Sequence, residues 1–306
     1  MKNIASVVLI LLAIAQFSCS PDDNRGDDIQ LRDPVEVWEE NKIEIQTFLE
    51  THYYEIEENA INENARTVIF KEITEENNET PIIQSEFLIS ETVTVSGIDY
   101  ELYQLQFREG NPERRKPTFA DSVLVTYHGQ TIRKTIFDSS PSPIWLDNTE
   151  NIIGFREGLT HYRGAGGFTE NPDGTFIFDE DFGFGVVFIP SGLGYFGVTP
   201  IGSGIFSYEP IIFTYQLYRS RESDHDRDGI PNWLEDVNET RDVQDVDTDA
   251  NGIPNYLDTD DDGDGVPTRE EVEFDEDGNL ILPFPDSNGN GTPDHLDPTW
   301  PEDENA

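Results

Sequence analysis

The chain has 306 residues, enough for two or three modules of ordinary size once a leader is removed. It carries 63 Asp and Glu against 19 Lys and Arg, a formal net charge of −44. Such a chain repels phosphate backbones, so nucleic acid is excluded as a partner. The single cysteine, Cys19, leaves no intramolecular disulfide to form. The five histidines, His52, His128, His161, His225 and His295, are scattered and give no zinc spacing. The charge is uneven: from Asp224 onward there are 27 acidic and three basic residues, so this segment carries over half of the excess.

Lys2 precedes an apolar run from Ile4 to Ala15, too short to span a bilayer as a helix, followed by Gln16-Phe17-Ser18-Cys19. This resembles the leader of a bacterial lipoprotein, with residues 1–18 removed and Cys19 lipidated. Gln16 and Phe17 depart from the usual pattern, and an ordinary signal peptide with an incidental cysteine is the alternative. The resemblance implies a membrane partner through a lipid anchor. The protein is then expected in the bacterial cell envelope, on the outer membrane, facing the periplasm or the surface. Residues 19–32 read as an acidic tether; the same run also resembles a surface-export signal.

Asp33-Pro34-Val35-Glu36 opens a helix: Asp33 suits the N-cap and Pro34 the first helical position. Val35, Trp38, Ile45, Leu49 and His52 recur on one face of it. Thr67–Phe70 and Phe87–Ile89 read as strands. Residues 33–97 are therefore expected to be a small helix-and-strand region without catalysis of its own.

From Thr92 the β signals become dense. Thr92–Val95 and Tyr100–Phe107 flank the turn Ser96-Gly97. Ser122–Tyr127, Val186–Ile189 and Ile211–Leu217 are further strands. Ile152, Phe155, Leu159 and Tyr162 share one face of a short helix. One short helix among several antiparallel strands is an α+β arrangement.

Five segments carry a resemblance, in order: Val125-Thr126-Tyr127-His128-Gly129; Phe137-Asp138-Ser139-Ser140; Ile152-Ile153-Gly154-Phe155-Arg156-Glu157-Gly158-Leu159; Ile189-Pro190-Ser191-Gly192-Leu193-Gly194-Tyr195; and Ile211-Ile212-Phe213. Together they resemble the FKBP-type peptidyl-prolyl isomerases over residues 98–219. The resemblance implies an antiparallel sheet wrapped on the short helix. It also implies proline-containing polypeptides as clients and no cofactor for catalysis. By position, Tyr127, Phe137, Phe155 and Phe213 would wall a cavity with Phe155 as its floor. The Ile152 N–H and the Tyr195 hydroxyl would bond substrate carbonyls, and Asp138 would sit at the rim beside Tyr127. Four features depart from the family pattern. Phe155 replaces the commoner Trp, and Ser142 or Ile144 falls where a wall aromatic is usual. Phe196 follows Tyr195 where Gly is usual, and Ile205-Phe206-Ser207 replaces an Ile-Pro-Pro loop. Gly164–Gly185 is longer than the family's link, and Asn171-Pro172-Asp173-Gly174 within it marks an added hairpin, expected near the pocket.

The acidic segment, residues 220–306, repeats one frame four times. The first contains Asp224, Asp226, Asp228, Gly229, Ile230 and Glu235; the second Asp247, Asp249, Asn251, Gly252, Ile253 and Asp258. The third contains Asp260, Asp262, Asp264, Gly265, Val266 and Glu271; the fourth Asp286, Asn288, Asn290, Gly291, Thr292 and Asp297. Oxygen side chains at positions one, three and five, Gly at six, a backbone carbonyl at seven and a carboxylate at twelve are what a Ca²⁺ loop needs. A Pro at position eight every time, with no flanking helices apparent, is unlike an EF-hand. The segment resembles the thrombospondin type 3 calcium repeats without their cysteines. A disordered acidic tail is the alternative, and without ions the carboxylates are expected to keep the segment expanded.

Three functions follow. The first is a lipid-anchored prolyl isomerase that assists folding of envelope or secreted proteins, with calcium-ordered repeats. The second is a peptide-binding or chaperone module without turnover. The third is a calcium-dependent structural surface protein.

Overall fold

Asp33 caps the first helix as its position predicts: its Oδ1 accepts the N–H groups of Val35 at 2.8 Å and Glu36 at 3.3 Å. A computed structural model describes residues 30–58 and 66–300; the leader and Cys19 lie outside the described residues. Helix α1, Pro34–Thr51, buries Val37, Trp38, Asn41, Ile45, Phe48 and Leu49. The face is rotated from the one expected: Val35 is exposed, and His52 lies past the helix end. His52 instead begins strand β1, His52–Glu58, which pairs antiparallel with β2, Arg66–Glu72. β1 is not among the expected strands because it follows the helix without any turn residue to mark the change.

The central sheet has six antiparallel strands: β3 Leu88–Val95, β4 Ile98–Arg108, β5 Ser122–Thr131, β6 Ile136–Asp147, β9 Gly183–Ile189 and β10 Ile211–Arg221. Their order across the sheet is β3-β4-β9-β10-β5-β6. Ser96 and Gly97, both with positive φ, make the tight β3–β4 turn. Thus β3, placed by its sequence position in the N-terminal region, is an edge strand of the main sheet. Helix α2, Ile153–Leu159, packs on one face of this sheet, against β9 and β4. The α+β class read from the sequence is the class observed.

Each face of the sheet has its own core. Val125, Val187, Ile189, Phe213, Tyr215 and Leu217 meet Phe155 and Leu159 of α2 on one face. Phe184, Val186, Phe188, Ile212 and Tyr218 meet Ile45, Phe48 and Leu49 of α1 and Val68 and Phe70 of β2 on the other. The N-terminal helix and hairpin therefore cover the sheet's second face. β9 is buried at all seven positions for this reason, which explains its unbroken apolar run.

The added hairpin exists: β7 Phe168–Glu170 pairs with β8 Phe176–Phe178 around the Asn171–Gly174 turn. It does not lie on the α2 face, where the expected pocket residues Phe155 and Phe213 pack. Its Phe178 stacks on Tyr218 with ring centroids 4.5 Å apart, on the sheet face opposite α2.

The acidic segment is folded and docked, not extended from the sheet. Among the described residues, those from Arg32 to Trp300 belong to one compact unit. Arg241 bonds Glu157 of α2 at 2.9 Å and 2.5 Å, and Arg156 donates to the Arg241 carbonyl at 2.7 Å. Gln244 donates to the Thr149 carbonyl at 2.7 Å, and His225 meets Asp147 at 2.6 Å. Phe119 and Ala120 form a small core with Val243 and Tyr256. The irregular character expected of the segment holds, but each Pro at position eight is followed by one helical turn: Asn232–Leu234, Asn255–Leu257, α3 at Thr268–Glu271, and Asp294–Leu296. Each Pro is the N-cap of its turn, with φ of −62°, −63°, −61° and −57°, the range its ring imposes.

Candidate functional site

The five motif segments converge on the α2 face of the sheet. Phe155 and Phe213 are buried, with ring centroids 5.0 Å apart and planes at 74°. Tyr127 stands 6.1 Å from Phe155 and 6.0 Å from Phe213. Phe137 stands 5.3 Å from Phe213 and 6.5 Å from Tyr195, edge to face in both pairs. Phe155 and Phe213 are the buried members of this ring cluster, and Tyr127, Phe137 and Tyr195 are half-buried. Edge-to-face packing of this kind favours a fixed arrangement of rings.

Two glycines keep the rings this close. A Cβ on Gly129 would lie 2.8 Å from Phe213 and 2.9 Å from Phe137, so only Gly admits both rings. A Cβ on Gly154 would lie 2.4 Å from Ile189, so Gly154 lets α2 sit directly on β9. Phe155, the next residue, is thereby set into the ring cluster.

The polar groups are few. The Tyr127 hydroxyl donates to Asp138 Oδ2 at 2.8 Å. Burial, then this hydrogen bond, pushes the Tyr127 hydroxyl above its ordinary range, so it stays a donor. Burial, then the Asp138 charge, does the same for Tyr195. Ile152 is the N-cap of α2 at φ −59° and ψ 145°, and its carbonyl accepts from Phe155 at 3.0 Å and Arg156 at 3.2 Å. Its own N–H belongs to the orphan donors of a helix start. The structure thus packs Tyr127, Phe137, Phe155, Tyr195 and Phe213 into one ring cluster, with Asp138 bonded to Tyr127 and Ile152 at the head of α2 against the same core.

One supporting residue lies outside the resemblance. Asn41 of α1 is buried; its Oδ1 accepts the Ser191 N–H and hydroxyl, both at 2.7 Å, and its amide donates to the Tyr208 carbonyl at 2.9 Å. It pins the two ends of the segment that carries Tyr195. A lone polar residue within an otherwise apolar helix face was the available signal. Phe196, where Gly is usual, has φ +48° and is held by ring contact with Tyr208 at 4.9 Å. Ser142 is exposed and Ile144 half-buried, so no aromatic stands at that wall.

The four acidic frames share one local geometry. Gly229, Gly252, Gly265 and Gly291 have φ of 101°, 93°, 96° and 97°. The position-five side chain accepts the position-seven N–H at 2.7 Å in every frame, at Ile230, Ile253, Val266 and Thr292. A further regularity was not read from the sequence. Position nine is buried in each frame, and its side chain accepts the N–H of position two. Asn232 accepts from His225 at 3.1 Å and Asn255 from Thr248 at 2.9 Å. Thr268 accepts from Asp261 at 3.1 Å and Asp294 from Ser287 at 2.7 Å. A small polar residue directly after each Pro was the sequence signal.

Among the described residues two groups of carboxylates converge: Asp226, Asp228, Glu235 and Asp261, and Asp260, Asp262 and Asp264. Asp224 lies outside the first group and Glu271 outside the second. Buried oxygens of Asp226, Asp228, Glu235, Asp262 and Glu271 have no hydrogen-bond partner. Burial, then neighbouring carboxylates, raises Asp226 to about 7 and Glu271 to about 8. Orphaned, buried, mutually repelling oxygens fit a divalent cation. Asp247, Asp249 and Asp258 of the second frame, and Asp286 and Asp297 of the fourth, form no such group.

Residues 225–288 match the family described as BamM C-terminal. No curated protein matches the chain. Among solved structures, the chain is similar to a peptidyl-prolyl cis-trans isomerase from Pseudomonas syringae pv. tomato, at 18% identity and a TM-score of 0.34, over 45% of this chain and 84% of that one. It is also similar to FkpA from Escherichia coli, at 20% identity and TM-score 0.33, over 45% of this chain and 53% of that one. The three FKBP domains of wheat FKBP73 match at 12% identity and TM-score 0.34, over 44% of this chain and 52% of that one. The chain thus spans about half the length of the latter two.

Proposed function

We propose that the protein is an FKBP-type peptidyl-prolyl cis-trans isomerase. In this reading it is lipid-anchored at Cys19 in the bacterial cell envelope, assists folding of proline-containing envelope or secreted proteins, and carries calcium-binding repeats. The observation that carries the reading is the ring cluster of Tyr127, Phe137, Phe155, Tyr195 and Phe213, with Asp138 bonded to Tyr127; in this reading the half-buried rings frame a hollow for proline, with Phe155 as its floor and Asp138 at its rim. Uncatalysed X-Pro isomerisation takes tens to hundreds of seconds, against a barrier of about 18–20 kcal/mol. No covalent bond breaks, so the site needs no nucleophile. The aromatic floor takes the proline ring and excludes water from the amide. Without water to stabilise it, the planar, more dipolar amide loses its advantage over the twisted one. The Ile152 N–H and the Tyr195 hydroxyl hold the flanking carbonyls, so rotation is confined to one peptide bond. Among the described residues no helix is long and apolar enough to cross a membrane.

Calcium belongs to the repeats in this reading and takes no part in the twisting step. It would neutralise the orphaned carboxylates of the first and third frames and fix their turns. The Asn residues of the second and fourth frames make those weaker sites.

The second reading, a peptide-binding module, is favoured by one feature. The segment after Tyr195 exposes Val198, Ile201 and Phe206, apolar side chains able to grip an apolar chain. A protease-coupled isomerisation assay separates the two. Turnover should fall to background in the Phe137→Ala, Asp138→Ala double variant. Equal rates in wild type and double variant would leave binding as the function.

A further inference from the structure

The acidic frames differ in what satisfies their carboxylates. Asn251 donates to Asp249 at 3.1 Å and to Asp258 at 2.7 Å. Asn288 and Asn290 each donate to Asp297 at 2.8 Å. An amide thus stands in for a cation in the second and fourth frames. The first frame has no such donor, and it is the most enclosed. Asp228, Glu235 and Asp261 are 2%, 3% and 2% exposed. Both carboxylate oxygens of Glu235 and of Asp261, and one each of Asp226 and Asp228, are buried without a hydrogen-bond partner. One oxygen from each of these four residues lies within 4.8 Å of the other three. Calcium binds oxygen at 2.3–2.6 Å, so ligands on opposite sides of it stand about 5 Å apart; magnesium at 2.0–2.1 Å would need about 4 Å.

We propose that Asp261 is a calcium ligand of the first frame, supplied from outside it, so that Asp226, Asp228, Glu235 and Asp261 form one four-carboxylate cage. The inference rests on the calcium reading of the repeats. Asp261 follows the first residue of the third frame, and its neighbours Asp260 and Asp262 belong to the third frame's own group. One short stretch therefore serves two sites, with Asp261 turned to the first and Asp260 and Asp262 to the third. Thr268 holds this stretch by accepting the Asp261 N–H at 3.1 Å. Arg269 donates to the Asp228 carbonyl at 3.3 Å and ties the same turn to the first frame. The cage closes only when the third frame folds back onto the first. A calcium ion there is a staple between repeats more than a filler of one loop. Asp224, expected as a ligand at position one, is outside the cage, and its Oδ1 accepts the Arg227 N–H at 2.7 Å.

The test uses the full chain, with calcium titration calorimetry and thermal unfolding in chelator and in millimolar calcium. Asp261→Asn should lose one calcium from the stoichiometry. It should melt higher than wild type in chelator, because the cost of burying that carboxyl among other carboxylates is gone, and lower than wild type in calcium. Asp277→Asn makes the same charge change at an exposed turn and should alter neither. Wild-type stoichiometry and a wild-type calcium-induced shift in Asp261→Asn would overturn the assignment, as would a lower melting point in chelator. Calcium bound normally by wild type, with a site lost in Asp224→Asn but not in Asp261→Asn, would keep the calcium reading and reject Asp261. A wild type that binds no calcium would reject both.

Discussion

The aromatic hollow and the carboxylate cage stand at opposite ends of one question, whether a site is complete on its own. In the hollow the buried atoms are carbon, the Tyr127 hydroxyl is bonded to Asp138, and the rings touch edge to face. In the cage the buried atoms are unpartnered carboxylate oxygens from Asp226, Asp228, Glu235 and Asp261. The first is stabilised by the same burial that stabilises the core. The second is destabilised by its own burial until a proton or a cation arrives. The two should therefore respond to different perturbations.

The largest expected effect is at the hollow's floor. Phe155→Ala should cost about 3–5 kcal/mol of stability, the range for a buried aromatic, read by chemical denaturation. It should abolish isomerisation and leave calcium stoichiometry intact. Loss of both together would show that the regions are not separable.

Next is a pH effect confined to the cage and its neighbour. Burial raises Asp226 to about 7, Asp228 to about 6 and Glu271 to about 8, all above their unfolded values. A carboxyl raised on folding contributes stability below its unfolded pKa and loses it as pH rises through the folded value. The melting temperature in chelator should therefore fall from pH 5 to pH 8. Excess calcium should remove most of that fall, because the ion replaces the proton. An equal fall with and without calcium would separate these groups from any cation site.

The smallest effect is one hydroxyl. Tyr195→Phe removes one hydrogen bond to substrate, about 0.5–1.5 kcal/mol, or roughly two- to tenfold in kcat/KM. No change would remove Tyr195 from the site. The same variant should leave the melting behaviour in calcium and in chelator as it was, which sharpens the contrast with Asp261.

What could be read in advance follows the same division. The ring cluster was legible because its residues sit in short contiguous segments, such as Phe137-Asp138 and Ile152–Phe155, whose order is itself a signal. The frames were legible because oxygen ligands at alternate positions and a Gly with positive φ are demanded locally. Contacts set by the assembled chain could not be read. Asn41 reaches Ser191 across 150 positions, and Arg241 reaches Glu157 across 84. Asp261 could not be read as a ligand of the first frame because ligand spacing is counted along a loop, and the cage closes through space. β1 was obscured likewise, because the hairpin on the second face has no partner until the sheet exists; β3 was read as strand, but not as the edge of the main sheet.

The central claim is that the hollow twists proline amides, and exchange between cis and trans forms observed directly by NMR tests it most simply. A short apolar X-Pro peptide has separate cis and trans resonances, since exchange takes tens of seconds or more without catalysis. Substoichiometric full-length protein should produce cis–trans exchange peaks within a second. The Phe137→Ala, Asp138→Ala variant should produce none. Peptide resonances that shift on binding to wild type, with no exchange peaks at any concentration, would contradict the account and leave a hollow that holds proline without turning it.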